Sequence, residues 1–450
     1  MRVASLVLVG LLLGGCGDSE STKDTAVSGD TATEPSTQDT DGTDDTDSGD
    51  THTGTDTDTD TSWEVTYHRD VRPIVETHCT RCHSDIGAGA GNFTNYDEVS
   101  SALPAMLAAI EDGRMPPPAA DPDCREYKGS DQMVLDDDER AVLQTWSDLG
   151  TPEGLEDTYI PPDALPTELE SPDVEVMIPQ PYTPAYTDTN NPGNEYRCFT
   201  LDIGHTDDIY ITGLAPIIDA GSILHHAVLF KKSRSFAEKL GPDGYDCWYE
   251  TGAVTDMVHA WAPGAMPLET PEGMGIRLAG DEMLVVQWHY YAGDNEGLSD
   301  QSGYALNTTP MVDQELSVYP YGPYDMHIPA GEEAHVESLS YPLPVSGSIY
   351  SIFPHMHVLG SGYEFSVDTT EEGEICGVQA DRYDFDNQLT YVYEEPLYFD
   401  AWSWLTMECT FNNSTSNPDL IHNPPIDVYW GERTDEEMCF AFLLVDFSLF

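Results

Sequence analysis

At 450 residues the chain has room for about three domains of roughly 150 residues each. A formal charge of -65 excludes a nucleic-acid footprint, which needs clustered Lys and Arg. With 39% hydrophobic and 10% aromatic residues the chain still builds substantial cores, and the acid excess reads as a soluble surface biased toward cationic partners.

Residues 1–16, "MRVASLVLVGLLLGGC", join a charged start to a short apolar run and small residues, which is the pattern of a secretory signal. The ending "LGGC" resembles the lipobox of bacterial lipoproteins. That resemblance implies that Cys16 becomes the lipidated first residue of the mature chain; a plain signal peptide with an incidental cysteine is the alternative. No other stretch is long and apolar enough to span a bilayer. The expected product is exported and lipid-anchored at a periplasmic or cell-surface face, with no integral span.

Residues 17–62 are almost wholly Asp, Thr, Ser and Gly. Such a segment buries too little apolar surface to offset its ordering entropy, so a disordered acidic spacer is expected. Its Asp repeats lack a complete EF-hand pattern, which leaves only weak calcium binding as a rival role.

Residues 63–157 read as helical. "YHRDVRPIVETH" forms a short amphipathic helix, "YDEVSSALPAMLAAIEDG" a longer one interrupted at Pro104, and "DDDERAVLQTWSDLG" a third that opens on acids and stops at Gly150. After the first comes Cys79-Thr-Arg-Cys82-His83, a C-x-x-C-H signature for covalent haem c attachment. The two thiols would form thioethers, and His83 would be the proximal iron ligand. A zinc site would want a second ligand pair that this segment lacks. Met115, in the proline-fixed "DGRMPPP", is the expected distal ligand, a choice that raises the reduction potential. Met106 reads as helix core and Met133 as exposed. The segment resembles small class I-type cytochrome c domains.

Beyond residue 170 short alternating runs such as "DDIYITGLAPI", "EMLVVQWHYYA" and "GYEFSVDT" are separated by Gly, Pro, Asp and Asn turns. That is an all-β texture, and its length fits two sandwiches, at 158–309 and 310–450. Nine cysteines are present; setting aside Cys16, Cys79 and Cys82 leaves six, an even number suited to disulfides in an oxidising compartment.

Two donor sets stand out in the β region. One is His225-His226 with His289; the other is His355-x-His357 with Met438. Imidazole suits copper and a soft thioether favours Cu(I), so two unlike coppers and redox chemistry are expected. On a strand, alternate residues share a face, so His355 and His357 point together. Adjacent His225 and His226 point oppositely unless a strand end or bulge intervenes. Among the other histidines, His68, His78, His259, His327, His335 and His422 read as surface or satisfied core.

The stretches "HHAVLF", "HAWAPG", "MLVVQWHYYAGD", "SGYALN", "IPAGE", "PHMHVLGSGYEF", "YDFDNQLTY" and "DEEMC" resemble, in order, those of the copper type II ascorbate-dependent monooxygenases. The resemblance implies two jelly-roll sandwiches with one copper in each. It implies that His225, His226 and His289 hold an electron-transfer copper, and that His355, His357 and Met438 hold the copper meeting O2 and substrate. It pairs Cys198 with Cys247 and Cys409 with Cys439. It supplies no partner for Cys124 or Cys376, for which an inter-domain bridge is one option.

The implied reaction is hydroxylation of a C–H bond with O2 and two electrons from ascorbate, a redox protein or the fused haem. Where peptide-amidating members hold a peptide carboxylate with polar and cationic groups, this chain offers Phe353, Phe440 and Phe442. An apolar or aromatic small molecule is therefore expected as substrate. The rival reading is a copper-binding electron-transfer lipoprotein that performs no hydroxylation.

Overall fold

The computed structural model describes residues 64–450 apart from 85, 86, 88, 188–192, 240, 248–255, 294, 432, 449 and 450. The signal, Cys16 and the Asp/Thr spacer lie outside the described residues. The described chain is mostly β-sheet, with a few helices at its start. None of its helices is long and apolar enough to cross a membrane.

Three α-helices open the described part of the chain: α1 (Arg72–His78), α2 (Tyr96–Glu111) and α3 (Asp137–Asp148). Each later start is capped by its own sequence. The Asn95 side chain accepts from the Glu98 N–H, and Asp136 with Glu139 forms a reciprocal capping box. Their apolar faces close on a small core of Tyr67, Val71, Val99, Leu103, Leu143 and Trp146. The interruption expected at Pro104 does not occur. Pro104 sits on the exposed face of a continuous α2, between buried Leu103 and Met106, so packing on both flanks outweighs the one hydrogen bond it removes.

The chain from Ala119 to Met133 leaves these helices and lies on a β-sheet further along the sequence. Asp121 N–H donates to Gln379 O and Lys128 N–H to Val392 O, both at 2.8 Å. A disulfide joins Cys124 to Cys376. Tyr127 and Met133 are buried in the same core as Tyr363 and Phe399. Met133 is thus buried, against the expectation that it is exposed, because the sandwich supplies apolar neighbours far away in sequence.

Four sheets make up the β region. The largest has nine strands and runs through both halves, joined where Gln314–Leu316 pairs in parallel with Met274–Ile276. A five-stranded sheet covers one half of it, enclosing Phe199, Leu214, Leu229, Trp288, Tyr304 and Leu306. A four-stranded sheet covers the other half, enclosing Tyr321, Ile352, Phe365, Phe399, Met407 and Leu443. Strand Trp404–Phe411 alternates exposed or half-buried with buried positions along its whole length, the pattern of one face on a core. The two other disulfides are Cys198–Cys247 and Cys409–Cys439, the pairings implied by the resemblance. Three disulfides point to an extracellular or periplasmic protein.

Candidate metal centres

Three neighbouring strands of the five-stranded sheet build the first centre: Asn194–Leu201, Glu282–Tyr291 and Leu224–Ser233. In their register His289 lies opposite Tyr196 on one side and His226 on the other. The ladder slips between Leu224 and His226, so His225 is an extra residue at a bulge. A bulge turns neighbouring side chains that a regular strand would oppose, and here it brings both doublet imidazoles to one side.

The result is a close cluster. His226 Nδ1 lies 3.1 Å from His225 Nδ1 and 3.2 Å from His289 Nδ1. His289 Nε2–H donates to Asn194 Oδ1 at 2.7 Å, and His225 Nε2 lies 3.3 Å from Asp386 Oδ1. Those outer partners fix the tautomers, leaving the Nδ1 lone pairs of His225 and His289 facing inward. Burial, then the His225 charge, holds His226 well below the usual imidazole range; burial does the same for His289. The converging imidazole nitrogens form a site that suits a cation. The fit to a metal ion preferring imidazole is good.

The second set is built where two central strands of the nine-stranded sheet end. Ser346–His355 pairs antiparallel with Phe440–Ser448, with His355 opposite Phe440 and Phe353 opposite Phe442. Counted on in that register, His357 falls opposite Met438. The ladder itself stops at His355, so His357 is not a strand residue as the alternation argument expected. The reason is Glu437. Its buried carboxylate accepts the N–H groups of His357 at 2.8 Å, Leu359 at 2.7 Å and Met438 at 3.2 Å, replacing ladder bonds. Burial pushes Glu437 up to about 8 against the pull of those three donors.

The His355 and His357 rings stand 5.1 Å apart at 81°. His355 Nδ1–H donates to Gln388 Oε1 at 2.6 Å, and His357 Nδ1–H donates to the Glu436 carbonyl at 2.9 Å. With Nδ1 engaged in this way, Nε2 is the nitrogen each ring would offer to a metal ion. Met438 is buried with Phe230, Met257, Phe440 and Phe442, and Phe353 packs against that cluster. Phe440 is fully buried, whereas Phe353 reaches open space.

A cleft separates the sets, lined by His225 and His226 on one side and His355 and Gln388 on the other. Trp261, Phe353, Phe385 and Asp386 complete much of its wall. Phe385 stands between the centres, 6.5 Å from the His225 ring and 6.0 Å from the His357 ring.

Cys79 and Cys82 are the free cysteines of the described chain. His83 follows them; its Nδ1–H donates to Ala90 O at 2.9 Å and its ring stacks on Phe93 at 4.4 Å, which leaves Nε2 unclaimed by either contact. Met115 is 39% exposed, in the loop after α2. The histidines set aside as bystanders have protein partners: His78 with Gln132 and Glu139, His259 beside Tyr304, and His68, His327, His335 and His422 beside carboxylates. Asn194, Gln388, Asp386, Glu437 and Phe385 escaped sequence reasoning, since polar partners of ligands carry no spacing signal.

Comparison with known proteins bears on this arrangement. The chain is 24% identical over 278 residues to peptidyl-glycine alpha-amidating monooxygenase A of Xenopus laevis. It is 25% and 28% identical over 300 residues to the corresponding enzymes of Mus musculus and Rattus norvegicus. These distant relatives support a copper monooxygenase-like family. The matches cover 58–62% of this chain but only 27% of each relative, so the chain spans about a quarter of their length. No protein-family model matches it. Solved structures of similar shape, such as the major capsid protein P2 of bacteriophage PM2, with a TM-score of 0.28, 9% identity and coverage of 61% of this chain and 98% of that one, are too remote to carry an argument.

Proposed function

We propose that this chain is a copper-dependent monooxygenase that hydroxylates a C–H bond of an apolar or aromatic small molecule with O2. The observation that carries the reading is the convergence of three imidazole Nδ1 atoms across one cleft from His355, whose ring stands 5.1 Å from that of His357. One copper would be held by His225, His226 and His289, and a second by His355, His357 and Met438. Bound there, copper would supply one-electron redox chemistry and O2 activation, while the protein supplies everything else.

Asn194 and Asp386 orient the first set, Gln388 and the Glu436 carbonyl orient the second, and Glu437 ties His357 to Met438. Phe353 and Phe385 give the cleft apolar faces, with Phe440 and Phe442 packed behind as its support. Among the cleft-lining residues the charged side chain is Asp386, whose carboxylate would repel a peptide carboxylate. Glycine-extended peptides should therefore be poor substrates.

A haem c fits Cys79, Cys82 and His83, with two unpaired thiols beside an imidazole whose Nδ1 is already fixed. Met115 would be the second protein ligand, and the bound group would carry single electrons. Cys16 would anchor the exported protein by lipid to a bacterial membrane.

Metal and haem analysis of the mature protein, followed by O2 uptake with ascorbate and a panel of apolar compounds, tests the reading. Two coppers, one haem and substrate-dependent O2 uptake are expected. Copper-free protein would overturn it, and copper with no O2 uptake on any compound would favour a bare electron carrier.

A further inference from the structure

The haem-motif segment is not free-standing; it rests on the walls of the cleft. Cys82 Sγ lies 3.7 Å from the Pro263 carbonyl oxygen. Gly264, at φ +85°, approaches so closely that a Cβ there would sit 2.9 Å from the same sulfur. A glycine serves here for two reasons, its left-handed backbone and the absence of a side chain. The residues just before this turn, Trp261 and Ala262, line the cleft together with His225 and His226.

A second contact, independent of the first, brings the other end of the segment to the opposite wall. In the turn that leads into Met115, Gly113 O accepts from Arg382 Nη1 at 2.6 Å. Arg382 opens the loop whose Phe385, Asp386 and Gln388 line the cleft. The Cys124–Cys376 disulfide and the pairing of Asp121 with Gln379 clamp the chain that follows Met115 to the same sandwich. Both ends of the haem-motif segment therefore abut the two loops that form the cleft.

We propose that the turn Trp261–Gly264 is the electron port of the molecule, joining the group carried by Cys79, Cys82 and His83 to the copper held by His225, His226 and His289. The proposal rests on the cofactor assignment made under Proposed function. One electron leaves a ferrous haem, which becomes ferric, and converts Cu(II) to Cu(I). No bond forms or breaks and no proton moves, and an external one-electron donor of the ascorbate class restores the ferrous state. The route takes one through-space step from the Cys82 sulfur to Pro263, follows bonded atoms to Trp261, and then crosses to the strand of His225 and His226 through the ladder that pairs Trp261 with Ala227. Bonded atoms couple redox centres better than gaps do, so this contact is where the coupling is most sensitive.

Transient spectroscopy of the intact holoprotein tests it. The haem is reduced by a light pulse with a photoreductant. Its ferrous absorbance is then followed, while rapid freezing and paramagnetic resonance follow the Cu(II) signal. In the wild type the ferrous band should decay as one equivalent of Cu(II) signal is lost. Gly264→Ala, which pushes on the Cys82 sulfur, and Trp261→Leu, which shortens the cleft end of the route, should each slow that decay at least about tenfold. Haem spectrum and copper content should stay unchanged. If Trp261→Leu fails to fold, Gly264→Ala and the paired Cys124→Ser, Cys376→Ser variant carry the same test, the latter by loosening the clamp. Protein with haem and copper in which the ferrous band persists, or in which every folded variant decays at the wild-type rate, overturns the port and leaves the monooxygenase reading standing. Protein that lacks haem overturns the port alone, and protein that lacks copper overturns both.

Discussion

Asn194 shows how much a single uncharged side chain decides. Its Oδ1 takes the Nε2 proton of His289 and so sets which nitrogen of that ring faces His226. Outer partners of this kind typically govern metal affinity by about 10–100-fold. Asn194→Ala should weaken copper binding at the three-histidine set by that factor while leaving the His355/His357 set unchanged. Competition with a graded series of chelators, read by copper paramagnetic resonance, separates the two. His259 offers a different kind of residue-scale test. Burial holds its imidazole down at about 3, against 6.5 in an unfolded chain. Between those values the unfolded state binds the extra proton, so the stabilisation is present above pH 6.5 and is lost as pH falls toward 3. From pH 7 to pH 5 this one group should cost about 2 kcal/mol. Urea midpoints at the two pH values should therefore move less in His259→Gln than in the wild type.

At the scale of elements, both centres sit where a ladder is broken. The first uses a bulge between Leu224 and His226; the second uses the ladder's end at His355, held open by Glu437. The second is also pinned by Cys409–Cys439, which ties the residue after Met438 to strand Trp404–Phe411. Replacing both cysteines by serine should cost about 2–4 kcal/mol, the usual worth of a native bridge. It should also displace Met438, the proposed thioether ligand, from its place. The expected outcome is a lowered melting temperature together with loss of sulfur scattering from the copper absorption-edge spectrum. Retention of that sulfur signal in a folded double variant would show that the Glu437 contacts alone position Met438.

For the whole molecule, the helical segment and the second sandwich share one core through Tyr127 and Met133, and one covalent tie through Cys124–Cys376. The connection after α3 is exposed, with Leu155 at 66% and Ile160 at 76%. Opening the tie with Cys124→Ser and Cys376→Ser should let this connection yield to protease at least about tenfold faster, equivalent to ~1.4 kcal/mol of easier local opening. The sandwiches themselves should resist as before. Unchanged cleavage would mean that the apolar contacts of Tyr127 and Met133 suffice to hold the segment.

Local chemistry was legible in the chain itself. The C-x-x-C-H run, the histidine doublet and the H-x-H pair are short-range patterns, and alternating apolar residues separated by turn formers announce strands without knowing their neighbours. That His225-His226 needs a strand end or a bulge followed from strand geometry alone. Only the tertiary structure decided which strands lie side by side, and hence that His226 faces His289 across a ladder. It also decided that Glu437 releases His357 from the strand, that Met133 is buried, and that Cys124 pairs with Cys376 at a separation of 252 residues. Those features depend on contacts between residues remote in sequence, where hydrogen-bond partners and apolar neighbours are chosen by packing. A linear pattern of side chains records which groups want partners; the fold alone chooses them.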